Sequence, residues 1–150
     1  MTPEELERFL ELGREVLAKQ PFSVLVGAQL LQLKPGFCEL MVPMSEEIQQ
    51  QHGFVHGGVI SYMADNALTF AGGTAMRVPV VTAEFKINYL RPAVGERFIA
   101  RAAAAYVARS QSVCRCEVFA VKDGQEKLCA MAQGTIAKLG EAPPTGTEMQ

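Results

Sequence analysis

A single acidic residue, Asp65, interrupts a long apolar segment in the middle of the chain, and the polar Asn66 lies beside it. Burial of a carboxylate without a partner is costly, because the charge loses its hydration. Two interpretations are open. Asp65 is either a structural acid satisfied by hydrogen bonds, or a group that works in a cleft, where a carboxylate can attack a carbonyl carbon or activate water.

The apolar segment begins with His56-Gly57-Gly58. The first N–H groups of a helix have no partner within the helix, and glycine lets a ligand approach the backbone closely. The positive end of the helix dipole suits an oxygen that gains negative charge. This start therefore predicts a carbonyl-binding position at Gly57, with Gly58 as a further contact. The alternative is a flexible junction between a loop and a helix.

The spacing between Gly57 and Asp65 limits how they cooperate. Asp65 follows Gly57 by eight residues, which is a displacement of about 12 Å along a helix. A catalytic group must lie within about 3 Å of its target. The two residues can therefore serve one reaction only when they come from different subunits. Two such helices running antiparallel across a two-fold axis predict a dimer with two equivalent shared sites.

Hydrophobic periodicity and turn residues predict the elements that position these residues. The helices are expected at 3–18, capped by Thr2, and at 56–74, ended by Gly72-Gly73. Strands are expected at 24–33, 37–42, 81–89, 97–108, 112–121 and 127–138. In strand 81–89, the alternation places Val81, Phe85 and Tyr89 on the buried face. The order predicts an α+β fold in which an antiparallel sheet curls around the apolar helix.

Composition narrows the classes of partner and location. The chain has 150 residues, is 49% hydrophobic and carries a net charge of −2. That charge gives no reason to bind nucleic acid or an anionic membrane surface. No apolar run reaches the roughly 20 residues of a membrane-spanning helix. The acidic start lacks the features of a secretory signal, so a cytoplasmic protein is expected.

The cysteines predict neither a metal site nor a cofactor. Cys114 and Cys116 form a C-x-C pair, whereas redox and zinc sites use C-x-x-C. They point to the same face of a strand, so we expect small buried core residues. The alternative is a metal or redox role with His52 and His56 as further ligands, but no pair of spacings frames a zinc site.

Three segments together resemble the PaaI-type hotdog-fold acyl-CoA thioesterases. They are 50–58 (QQHGFVHGG), 65–66 (DN) and 88–93 (NYLRPA), and the resemblance covers 22–138. It implies a hotdog fold, an antiparallel sheet wrapped around a long central helix. It also implies dimers with one continuous sheet, which usually pair into tetramers. The expected division is an N-terminal helix at 1–21, the hotdog domain at 22–138 and a flexible tail at 139–150.

The resemblance implies hydrolysis of an acyl-CoA thioester to a free acid and CoA. Asp65 corresponds to the nucleophile or general base, and the Gly57 N–H polarises the thioester carbonyl. His56 lies near the thioester. The family often has Asn where this chain has Gln50, which offers the same amide one methylene further out.

Candidate substrate contacts complete the expected site. Arg91, Arg109 and Ser110 are candidates for the phosphates of CoA, because an Arg fork matches phosphate geometry. Tyr62 is a candidate for the acyl slot, and Asn66 for a further contact. The bias towards aliphatic and Met side chains favours a medium- or long-chain fatty acyl group. Two alternatives remain open, a hydratase or dehydratase of the same fold and a non-catalytic acyl-CoA sensor.

Overall fold

The computed structural model describes residues 1–140, so residues 141–150 of the predicted tail at 139–150 lie outside the described residues. Six antiparallel strands form one sheet in the order β1-β2-β4-β5-β6-β3, and the long helix α3 packs against it. This confirms the expected α+β hotdog fold. The elements are α1 (Pro3–Ala18), α2 (Pro21–Val26), β1 (Gln29–Lys34), β2 (Phe37–Pro43), a 3-10 turn (Glu46–Ile48), α3 (Gly57–Met76), β3 (Val80–Tyr89), β4 (Arg97–Val107), β5 (Gln111–Lys122) and β6 (Gln125–Lys138).

Helix α1 begins as the sequence predicts. Thr2 and Glu5 form a capping box, in which the Glu5 N–H donates to Thr2 Oγ1 and the Thr2 N–H donates to Glu5 Oε2. The buried face of α1 carries Leu10 and Leu17. On the same helix, Arg14 Nε donates to the Leu30 carbonyl at 3.2 Å. Helix α1 therefore lies along β1, one edge strand of the sheet.

The expected strand 24–33 is wrong in its first half, because residues Pro21–Val26 form the short helix α2. Pro21 sits in the first turn, and Gly27 ends the helix in the left-handed region with a φ of 75°. A proline at the start and a glycine after the end frame a helix locally. These end signals outweigh the strand preference of the apolar residues between them. Strand pairing starts only at Gln29.

Helix α3 does not end at Gly72-Gly73 as expected, but continues to Met76 and closes on Arg77. Gly72 lies inside the helix because the sheet passes very close to it. A Cβ added at Gly72 would stand 2.6 Å from Ser112 Oγ and 2.8 Å from Ile136 Cβ. The glycine therefore serves helix-to-sheet packing and not helix termination.

Strand β3 contains a bulge between Thr82 and Glu84. A bulge shifts the alternation of side chains along the strand. Val81, predicted to be buried, is therefore 49% exposed, whereas Tyr89, beyond the bulge, is 55% exposed because it lies at the end of β3. Thr82, by contrast, is half-buried and contacts α3. Within residues 1–140, β3 pairs with β6 alone, so its outer edge carries no strand.

The four cysteines are free and buried, in agreement with the expected core role. Burial raises the pKa of Cys116 to about 12 and that of Cys129 to about 11. Both thiols stay protonated at neutral pH. In the described part of the chain, no helix is long and apolar enough to cross a bilayer.

Candidate active site

The start of α3 opens onto a cavity of about 420 Å³. Its walls come from the loop before α3, the first turn of α3 and the segment that follows β3. The Val55 N–H donates to the Ala93 carbonyl at 3.2 Å, which ties that loop to the segment after β3. The cavity thereby brings together three of the predicted site residues, Gln50, Gly57 and Arg91.

His56 caps α3 instead of pointing an open imidazole into the cavity. Its Nδ1 accepts a hydrogen bond from the Gly58 N–H at 2.8 Å. A neutral imidazole with one accepting nitrogen carries its hydrogen on the other, here Nε2. A Cβ on Gly58 would lie 2.9 Å from this Nδ1, so the cap needs a glycine there. The Gly58 N–H is thus occupied, and Gly57 is the glycine that lines the cavity.

Gln50 is held by its neighbours in the loop. Its backbone N–H donates to the Phe54 carbonyl at 2.8 Å, and its side-chain Oε1 accepts from the His52 N–H. With Oε1 occupied in this way, the amide nitrogen of Gln50 is the group left to donate into the cavity.

Tyr89 and Cys129 are among the residues of this cavity that were not predicted as site residues. The Tyr89 hydroxyl donates to the Gly57 carbonyl at 3.1 Å and also contacts Ser61 Oγ. Strand alternation assigned Tyr89 to the core, whereas the end of β3 turns it towards the start of α3. Cys129 also lines the cavity as a buried, protonated thiol. The one available sequence signal was the position of Tyr89 in the segment 88–93.

Asp65 is half-buried, and its carboxylate is oriented by strand β3. Thr82 Oγ1 donates to Asp65 Oδ1 at 2.6 Å. Thr69 Oγ1 donates to the Asp65 carbonyl at 2.8 Å and lies 3.0 Å from Thr82 Oγ1. Thr82 was missed, because the bulge that turns it towards α3 has no clear sequence signal. Among residues 1–140, Asp65 does not line the Gly57 cavity.

A family model described as the thioesterase superfamily matches residues 52–127, which include both Gly57 and Asp65. The chain belongs to this superfamily. It is a thioester hydrolase of the PaaI-type hotdog group, as the resemblance implied.

Individual relatives agree with this assignment. A crystal structure of a thioesterase family protein from Silicibacter pomeroyi is 38% identical and has a TM-score of 0.81, over 85% of this chain and 96% of its own. A mutant of the phenylacetic acid degradation protein PaaI from Thermus thermophilus is 33% identical with a TM-score of 0.70, over 80% and 100%. The 1,4-dihydroxy-2-naphthoyl-CoA hydrolase of Listeria monocytogenes is 23% identical over 75% of this chain and 90% of its own.

The structure places two predicted contacts of this thioesterase, Tyr62 and Asn66, at the corner between α1 and α2. Asn66 Nδ2 donates to Gln20 Oε1 at 2.9 Å and to the Tyr62 hydroxyl at 3.1 Å. The Tyr62 hydroxyl donates in turn to Ser23 Oγ. Burial raises the pKa of Tyr62, so it remains a neutral donor. These groups anchor the N-terminal helices to α3, away from Gly57.

Arg109 and Ser110 lie in the turn between β4 and β5, at the opposite end of the thioesterase from Gly57. The Lys138 N–H donates to the Ser110 carbonyl at 2.9 Å, and the next residue, Leu139, bonds Pro79 just beyond the end of α3. Helix α3 has 20 residues, so its two ends are about 30 Å apart. One chain therefore does not bring Arg109 and Ser110 to the Gly57 cavity.

Proposed function

We propose that this thioesterase hydrolyses medium- or long-chain fatty acyl-CoA to the free acid and CoA. The observation that carries the proposal is the cavity at the start of α3, which Gly57, Gln50 and Arg91 line together. A helix start binds an oxygen that becomes negative, and an Arg nearby suits a phosphate. An acyl-CoA thioester has both a carbonyl oxygen that becomes negative during hydrolysis and the phosphates of CoA.

In this proposal the carbonyl oxygen of the thioester accepts a hydrogen bond from the Gly57 N–H. The N-terminal dipole of α3 stabilises the negative charge that develops when the carbonyl carbon becomes tetrahedral. The amide nitrogen of Gln50 is placed to donate to the same oxygen or to a water molecule. His56 contributes by fixing the first turn of α3, and its Nε2–H is a further donor near the thioester.

Asp65 supplies the other half of the reaction. Thr82 holds Oδ1, which leaves Oδ2 to attack the carbonyl carbon or to take a proton from an attacking water. In either case the bond from carbon to sulfur breaks, and the thiolate of CoA leaves and takes up a proton. Direct attack forms an anhydride that water then cleaves, whereas the general-base route forms the acid in one step.

We further propose that Gly57 and Asp65 of one site come from two subunits. The uncovered edge of β3 supports this arrangement, since an exposed strand edge is a template for pairing with another strand. Pairing of β3 with its copy across a two-fold axis makes one continuous sheet and sets the α3 helices antiparallel. Pairing of such dimers into tetramers and a cytoplasmic location remain predictions from the sequence.

The two-fold arrangement would also bring Arg109 and Ser110 of one subunit close to the Gly57 cavity of the other. Antiparallel helices bring the C-terminal end of one α3 towards the N-terminal end of the other. The β4–β5 turn of one subunit would then face the Gly57 cavity of its partner. We propose that Arg91 of one subunit and Arg109 and Ser110 of the other contact the phosphates of CoA.

The Asp65→Asn variant tests this function. We expect kcat on the best fatty acyl-CoA to fall by at least about 10², because the amide can neither attack nor accept a proton. The assay follows free thiol release from a panel of acyl-CoA esters, with CoA binding measured separately. Asp123→Asn is the matched control, since Asp123 lies in the β5–β6 turn with a φ of 51°, which Asn tolerates.

Two results would contradict the proposal. An Asp65→Asn variant that keeps more than half of the normal rate would remove Asp65 from the reaction. A wild-type protein that binds acyl-CoA but releases no thiol from any ester would favour the alternative, a non-catalytic sensor.

A further inference from the structure

A second cavity, of about 520 Å³, runs between α1 and α3. Its apolar lining comes from Val16 of α1, Phe70 and Gly73 of α3 and the segment 78–80 that leads into β3, and its polar lining from Gln20, Asn66, Thr69 and Thr74. It shares no lining residue with the Gly57 cavity. We call it the α1–α3 groove. Its volume is that of an ordinary small-ligand site, and its walls are mostly apolar.

The groove begins beside Asp65. Thr69, one of its lining residues, donates to the Asp65 carbonyl at 2.8 Å and lies 3.0 Å from Thr82 Oγ1. Thr82 in turn donates to the Asp65 carboxylate. One hydrogen-bonded unit therefore connects the carboxylate to the wall of the groove. A chain attached to a carbonyl carbon at Asp65 can therefore enter the groove past Thr69.

The chemistry of the walls decides which part of the substrate enters. None of the residues that line the groove within 1–140 is charged, whereas the phosphates of CoA need cations. Arg91 lies instead in the Gly57 cavity. The groove therefore suits the acyl part of the substrate, and Val16, Val78 and Val80 make an aliphatic surface for it.

Val16 is a lining residue of the groove that is not buried in the hydrophobic core. It is 52% exposed, on a helix whose buried residues include Leu10 and Leu17. When a ligand covers an exposed apolar side chain at the rim of a groove, apolar surface is removed from water, and this favours binding. The hydrogen bond from Asn66 to Gln20 holds the junction between α1 and α2 against α3, so this wall is already in place without a ligand.

We propose that the α1–α3 groove binds the aliphatic acyl chain of the substrate and that Val16 sets the preferred chain length. This inference rests on the proposed function, and it assigns to the N-terminal helix a role in specificity. The carbonyl lies at Asp65, the chain runs along Thr69 and Phe70, and longer chains reach Val16 and the segment 78–80.

The test compares Val16→Phe with Leu12→Phe. Leu12 lies one turn earlier on α1, is also 52% exposed and does not line the groove. We measure kcat/KM for butanoyl-, octanoyl-, dodecanoyl- and phenylacetyl-CoA. Val16→Phe should lower the ratio of dodecanoyl to butanoyl activity at least about tenfold, since the ring fills the space of the distal methylenes. Leu12→Phe should leave the ratio unchanged.

Each other outcome overturns the assignment. An unchanged ratio in Val16→Phe, an equal change in Leu12→Phe, or a loss confined to phenylacetyl-CoA contradicts an aliphatic groove at Val16. If Val16→Phe does not fold, Val16→Ala replaces it, and the ratio should again fall, because the distal methylenes lose an apolar contact; a ratio that stays level or rises refutes the proposal. A wild-type protein inactive on every ester refutes the proposed function itself, which is a separate result.

Discussion

At the scale of single residues, the hydrogen bond of His56 determines what the start of α3 offers a ligand. His56 Nδ1 accepts the hydrogen bond of the Gly58 N–H. The Gly58 N–H therefore already has a partner, and Gly57 is the glycine that lines the cavity at the helix start. The carbonyl of Gly57 is also satisfied, by the Tyr89 hydroxyl. The backbone at Gly57 is therefore fixed before substrate arrives, as electrostatic stabilisation of a developing charge requires.

A proline at position 57 tests this role of the backbone. Gly57→Pro removes the proposed donor, and loss of one such donor costs about 10² to 10³ in kcat. Gly57→Ala is the matched control, because it keeps the N–H and its Cβ would meet the Tyr89 ring at an ordinary 3.5 Å. We expect the alanine variant to lose much less activity. Circular dichroism must first show that both variants fold, and equal losses in folded variants would contradict the role of the N–H.

From the sequence, candidate site residues can be placed near one another only where their neighbours in the fold are local in the chain. Gln50, Gly57 and Arg91 line one cavity, since two lie in one segment and the third follows a strand end, and their roles stay predictions. Asn66 and Tyr62 bond to Gln20 and Ser23, about forty positions away, and no pattern in the sequence shows such a pairing.

At the scale of elements, the predicted order of helices and strands holds apart from the additional helix α2, and the errors in α3 and β3 occur where tertiary contacts override local signals. The pair Gly72-Gly73 looked like a helix end, but α3 continues because the sheet supports it. The bulge in β3 exchanged its faces, which exposed Val81 and turned Thr82 towards Asp65. Periodicity assumes a regular strand, so it cannot show where an extra residue enters the ladder.

The close approach at Gly72 gives a prediction about stability. Gly72→Ala places a methyl group 2.6 Å from Ser112 Oγ and 2.8 Å from Ile136 Cβ, so either α3 or the sheet must move. Overpacking of this kind costs about 1–3 kcal/mol in the free energy of unfolding, more than the helix propensity of alanine returns. Urea unfolding of the two proteins measures the difference.

Gly73→Ala is the control for that experiment. Its Cβ would meet only one atom within 4 Å, Val80 Cγ2 at 3.0 Å. A single methyl at the end of a side chain can give way, so we expect a much smaller change in stability. If Gly72→Ala is as stable as Gly73→Ala, packing between helix and sheet is not what requires the glycine.

At the scale of the whole molecule, the core is built around α3 and includes all four cysteines. Their burial makes stability depend on pH. Thiols that ionise at 9.0 in the unfolded chain ionise at about 12 for Cys116 and about 11 for Cys129 in the folded protein. The folded state holds more protons than the unfolded state above pH 9, so the stabilising contribution is complete below that pH and is lost as pH rises.

We therefore expect the free energy of unfolding to fall as the pH rises from about 9 to about 12. Urea titrations across this range, under reducing conditions, measure the slope. The double variant Cys116→Ala with Cys129→Ala should be less stable at neutral pH but show a flatter slope. An identical slope in that variant would mean that the dependence has another source.

The last prediction tests the shared site directly, because it depends on geometry and on the assembly together. Asp65→Asn and Gly57→Pro are each expected to be inactive, and the two can be combined by refolding an equal mixture. In a mixed dimer with shared sites, one site has both intact residues and the other has both substitutions. Half of the dimers are mixed, so about a quarter of normal activity should return if the two sites act independently.

The opposite arrangement gives a different result. If each subunit supplied both Gly57 and Asp65 to its own site, every site in the mixture would carry one substitution and no activity would return. Separate affinity tags on the two variants isolate the mixed dimers, and those dimers should show about half of the normal activity. If isolated and folded mixed dimers are inactive, the pairing of Gly57 with the Asp65 of a partner is wrong. Asp65 would then have a structural role in α3.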